Sequence, residues 1–117
     1  ACIAAASKAL EILIAEPERI QKVNENGRYL RENLKSLGFE IGHTQTPIVP
    51  IYVGDEFVTL SLWSKLLARG IYVNSVVYPA TPRDKSLLRT SVTAEHSVEH
   101  LDRAIEALIA SRNELPF

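Results

Sequence analysis

A chain of 117 residues with 46% apolar and 23% charged content has the make-up of an ordinary soluble globular domain, long enough for one modest core. A formal net charge of −1 leaves no electrostatic footprint for nucleic acid or for an anionic membrane surface. The single cysteine, Cys2, excludes an intrachain disulfide, and a reducing compartment is the simpler reading. The chain opens on Ala1 and contains no methionine, so it reads as a fragment or a processed piece. Its apolar first residues lack a basic flank and soon meet Lys8 and Glu11, which fits a helix better than a signal peptide or membrane span.

Residues 2–15 are alanine-rich, with Ile3, Ala6, Leu10, Leu13 and Ile14 as a helical stripe. This helix is apolar on more than one side, so part of its surface is expected to need a cover from outside the domain. Pro17 suits the start of a second helix, with a break near Glu16, the alternative being a single bent helix. Its seam is Ile20, Val23, Gly27, Leu30, Leu34 and Leu37, and Gly38 is the stop. A glycine inside that seam costs about 1 kcal/mol against alanine and points to a close backbone approach.

Residues 39–41 read as a short strand and residues 48–53 as a buried one, with Pro50 demanding an edge position or a bulge. Asp55 is an N-cap for a helix with Phe57, Leu60, Trp63, Leu66 and Leu67 as its apolar positions, stopped by Gly70. Strands are expected over 71–76 and 87–92. In the latter, Leu88, Thr90 and Val92 share one face, and Leu87, Arg89 and Ser91 the other. Ser97 caps a last helix with the stripe Val98, Leu101, Ile105, Leu108 and Ile109, and residues 113–117 are expected to fray. Strands alternating with amphipathic helices predict a single α+β domain over 1–117. Its architecture is two layers: a three- or four-stranded, mainly antiparallel sheet with helices packed on one face.

The chemistry concentrates in one stretch, Tyr78-Pro79-Ala80-Thr81-Pro82, followed by Leu87-Leu88-Arg89-Thr90-Ser91 and Ala94-Glu95-His96-Ser97. Two prolines stiffen the loop. Arg89 stands in an apolar run, where an unpaired buried charge is costly, so it either pairs with a structural carboxylate or meets an anionic ligand. His43, His96 and His100 do not form a metal-ligand set, and His96 is expected to have a structural or hydrogen-bonding role. Thr81 either donates to a ligand or satisfies turn backbone, and Trp63 is expected in the core or an interface.

The ordered set Gly70-Ile71-Tyr72-Val73-Asn74, Pro79-Ala80-Thr81-Pro82, Leu88-Arg89 and Ala94-Glu95-His96-Ser97 resembles the C-terminal segment of α-oxoamine synthases. Thr46-Pro47-Ile48-Val49-Pro50, Val53-Gly54-Asp55 and the Trp63, Leu66, Gly70 spacing fit the same register. These are pyridoxal-phosphate enzymes of the class I/II aminotransferase superfamily that condense an amino acid with an acyl-CoA and release CO2. The resemblance implies the small domain of a cytoplasmic, homodimeric enzyme, with pyridoxal phosphate bound by a large domain outside these residues. It implies substrate binding by Arg89, as the clamp of the amino acid's carboxylate, with Thr81 and Ala80 in a loop near the substrate.

No catalytic, cofactor-binding or metal-binding residue is assigned to this chain, which alone is expected to be inactive. Lys8, Lys22, Lys35, Lys65 and Lys85 lie on expected helix surfaces or in a charged loop, and none resembles the family's Schiff-base lysine. The serine palmitoyltransferase-like branch often has a second arginine where this chain has Val77, and Arg83 serves instead only if the loop folds back. The other readings are the small domain of an aminotransferase and a stand-alone ligand-binding or interaction module.

Overall fold

The computed structural model describes residues 1–115. The elements run α1 (Cys2–Ala15), α2 (Glu18–Ser36), β1 (Ile48–Gly54), α3 (Glu56–Ala68), β2 (Asn74–Val76), β3 (Ser86–Ser91) and α4 (Val98–Arg112). The strands form one antiparallel sheet in the order β1-β3-β2. This is the expected α+β architecture. Pro50 lies on β1, an edge strand, where a missing N–H is tolerated.

Alternation along the strands decides which face is covered. Val49 and Ile51 of β1 stand opposite Thr90 and Leu88 of β3, and all four are buried. Helices α2, α3 and α4 close over that face through Leu30, Leu34, Leu62, Leu66, Leu101, Ile105 and Leu108. Each fully buried leucine contributes about 1.5–3 kcal/mol. The other face carries Ile48, Pro50 and Tyr52 of β1 with Leu87, Arg89 and Ser91 of β3, and these helices leave it open.

Local signals set the helix ends. Asp55 Oδ1 accepts the Val58 N–H at 2.8 Å, and Ser97 Oγ accepts the His100 N–H at 3.3 Å. Gly38 and Gly70 take φ of +76° and +78°. After each of them the chain bonds back into the helix, Phe39 N–H to Leu34 O at 3.0 Å and Ile71 N–H to Leu66 O at 2.9 Å.

Several expectations are corrected. Residues 39–41 form no strand: Phe39 and Ile41 are buried, and Tyr52 N–H donates to Glu40 O at 2.8 Å, but no ladder forms. The strand expected over 71–76 is only Asn74–Val76, because pairing with β3 begins at Asn74 opposite Arg89. On α3 the buried residues are Thr59, Leu62 and Leu66, whereas Phe57, Leu60 and Leu67 are exposed. That helix is apolar on both sides, so periodicity gave it no unique phase. Ile20 and Val98 lie beyond the packed parts of their seams and are exposed. Residues 113–115 form a turn in which Leu115 packs on the core, rather than fraying, and 116–117 lie outside the described residues.

Helix α1 forms as expected but buries none of its residues; Ile3 is 88% and Ile14 74% exposed.

Candidate functional site

Arg89 projects from the middle strand on the face opposite Leu88 and Thr90, as the alternation requires. Its side chain is exposed and forms no ion pair or hydrogen bond among the described residues. The structural carboxylate partner that would have explained it is therefore not among them. Pro50 stands directly opposite it on β1 and Asn74 on β2. Arg89, Asn74, Trp63, Tyr72, Val73 and Val76 line a cleft of about 290 Å³ at the β2 edge of the sheet. The half-buried Trp63 indole N–H donates to Val73 O at 3.1 Å, which ties this edge to α3.

The loop between β2 and β3 is a compact turn. Ala80 and Thr81 donate their N–H groups to Val77 O at 2.9 and 3.3 Å. Ala80 is exposed and Thr81 half-buried, with its Oγ1 enclosed and without a hydrogen-bond partner among the described residues. Neither residue lines the Arg89 cleft. The loop folds back far enough to place the Arg83 guanidinium 4.3 Å from the centre of the Tyr78 ring, next to Val77.

A larger cleft, about 550 Å³, opens between α4 and the segment before β2, with Tyr72, Val92, His96, His100 and Arg103 among its walls. Both histidines serve backbone. His96 Nδ1 accepts the Thr93 N–H at 3.0 Å, and His100 Nδ1 accepts the Ser97 N–H at 3.2 Å, completing a reciprocal cap on α4. Among the described residues no three His, Cys, Asp or Glu side chains gather as metal ligands.

Neither Asn26 nor Asn74 has a role assigned from the sequence. Buried Asn26 donates through Nδ2 to Thr93 O at 2.9 Å and His96 O at 2.8 Å, locking α2 to the turn before α4. Asn74 stands in the stretch 70–74 that carries part of the family resemblance, but its place opposite Arg89 is set by a register across strands that local sequence does not show.

The residues present do not fit pyridoxal phosphate. That cofactor needs a lysine, an acidic partner and a phosphate cradle in one cavity, and neither cleft contains a lysine. Lys65 is engaged with Glu114, and Lys8, Lys22, Lys35 and Lys85 are exposed.

The aminotransferase class I and II family matches residues 1–108. The chain is 45% identical to the 8-amino-7-oxononanoate synthase of Symbiobacterium thermophilum, over 96% of this chain and 29% of that protein. It is 38% identical to the serine palmitoyltransferase of Sphingobacterium spiritivorum, over 93% of this chain and 27% of that protein. Among solved structures, the Sphingomonas wittichii serine palmitoyltransferase superposes with a TM-score of 0.89 at 28% identity, over 97% of this chain and 30% of that one. A solved SPT carrying PLP as its internal aldimine superposes with a TM-score of 0.90 at 30% identity, over 96% of this chain and 29% of that one. The chain thus spans less than a third of the length of the relatives it matches. With residues 1–108 matched by the family as a whole, the chain belongs to the class I and II aminotransferases.

Proposed function

We propose that this chain is the substrate-closing small domain of a pyridoxal-phosphate-dependent acyltransferase. The enzyme condenses an amino acid with an acyl-CoA thioester, releasing CO2 and coenzyme A and leaving an α-oxoamine. The observation that carries the reading is Arg89, an exposed guanidinium without an acidic partner among the described residues, at a cleft along the β2 edge of the sheet. Relatives named 8-amino-7-oxononanoate synthase and serine palmitoyltransferase support it.

In this reading the Arg89 fork donates to both oxygens of the amino acid's carboxylate. Two-point binding fixes the carboxylate plane and thus the direction of the bond that breaks, so the arginine contributes orientation. The loop carrying Ala80 and Thr81 closes beside the substrate when the domain moves. Thr81 Oγ1, without a partner among the described residues, is the loop's candidate donor once that movement exposes it. The cofactor is carried by the remainder of a longer protein, a cytoplasmic homodimer, and no residue of this chain is assigned to it.

The full-length protein, supplied with pyridoxal phosphate, an amino acid and an acyl-CoA, should release free thiol and CO2 in equal amounts. Conversion of the amino acid to its 2-oxo acid without any acyl-CoA would favour the aminotransferase reading instead. Neither product, across a panel of amino acids and acyl-CoAs, would overturn both.

A further inference from the structure

We propose that Asn74 is a second arm of the carboxylate site, its side-chain N–H donating to the same carboxylate that Arg89 holds. The inference rests on the clamp reading of Arg89 and extends it to a residue outside the loop. Asn74 and Arg89 are directly opposite partners on adjacent antiparallel strands, so their side chains leave the sheet on the same face. Both line the cleft at the β2 edge. Asn74 is half-buried, and its carboxamide makes no hydrogen bond among the described residues, just as Arg89 makes no ion pair there.

The chemistry is complementary. A carboxylate has about four lone-pair sites, of which a guanidinium fork takes two, leaving room for one more donor on either oxygen. On the β1 side the opposite residue is Pro50, whose side chain has no donor, so the extra hydrogen bond comes from the β2 side. An aspartate at position 74 would pair with Arg89 and compete with the ligand, whereas asparagine donates without cancelling the charge. Position is enforced from behind by the Trp63 hydrogen bond to Val73 O, one residue before Asn74. Asn74 is thus a substrate-orienting residue on a rigid edge.

The test uses the full-length protein. Asn74→Ala should raise KM for the amino acid about tenfold, the size of one hydrogen bond to a charged group, and leave KM for the acyl-CoA within about twofold. Asn74→Asp, nearly isosteric, should raise the amino-acid KM more, about a hundredfold, by occupying Arg89. The amine that lacks the carboxyl group altogether should inhibit parent and Asn74→Ala proteins equally, a readout that general damage to the fold would not spare. If Arg89→Ala raises the amino-acid KM and neither Asn74 variant does, the Asn74 inference falls and the clamp stands. An Arg89→Ala protein with unchanged amino-acid KM removes the clamp itself, and the inference with it. A rise in acyl-CoA KM alone would assign Asn74 to a coenzyme A phosphate and overturn its role here.

Discussion

Gly27 and Pro47 touch backbone to backbone: a Cβ placed on Gly27 would lie 2.9 Å from Pro47 Cα. The contact brings α2 against the segment entering β1, where Pro47 O also accepts the Val92 N–H at 3.2 Å. Backbone cannot yield as a flexible side chain does. Gly27→Ala gains about 1 kcal/mol of helix propensity but must push the β1 entry aside, an overpacking cost of about 1–3 kcal/mol. A net loss of stability is expected, read as a lower urea midpoint at unchanged slope. A stabilised variant would show that the segment moves freely.

Arg89 separates charge from shape. Arg89→Lys keeps the positive charge and loses the fork, and Arg89→Ala loses both. On the proposed clamp reading, each should raise KM for the amino acid in the full-length protein, alanine more, up to the loss of a charged pair, about 2–5 kcal/mol. KM for the acyl-CoA should change much less. Steady-state kinetics with each substrate varied in turn check this, and an alanine variant with parental kcat and amino-acid KM would contradict it.

Glu114 joins the turn after α4 to the last turn of α3 by accepting from Lys65 and Arg69. The hydrogen bond from Lys65, then that from Arg69, holds its carboxyl below the ordinary glutamate range. A depressed folded-state value means the contribution is present above the unfolded value and is lost as pH falls through the folded one. Glu114→Gln should therefore unfold at a lower temperature than the parent near about pH 7, with the gap closing as the pH falls below the ordinary glutamate range. A gap independent of pH would mean that the ion pairs contribute nothing.

Helix α1 presents Ile3, Leu10 and Ile14 at 88%, 59% and 74% exposure. A surface of that kind is expected to bind a hydrophobic dye or to drive self-association of residues 1–117. Replacing Leu10 and Ile14 together by glutamate should abolish the signal. It should shift stability by no more than about 0.5 kcal/mol, as for other surface positions. A large fall in the unfolding midpoint would show that the helix packs on its own domain after all.

What this sequence determined by itself was whatever depends on neighbours along the chain. Asp55 and Ser97 announce helix starts because a cap reaches only the next turn, and Gly38 and Gly70 announce ends because they take up a left-handed backbone. Alternation over 87–92 put Arg89 opposite Leu88 before any partner strand was known, and a glycine in the α2 seam announced a close approach without naming Pro47. Tertiary structure alone decided the rest. Leu62, and not Phe57, faces inward although α3 is apolar on both sides, because only the sheet and α4 choose its phase. Residues 71–73 lose their strand because pairing needs β3 beside them, and β3 is engaged only from Asn74 onward. That same register puts Asn74 beside Arg89, across 15 residues of chain (89 − 74). Local propensity carries no information about such a pairing, since it is set by which buried faces must meet.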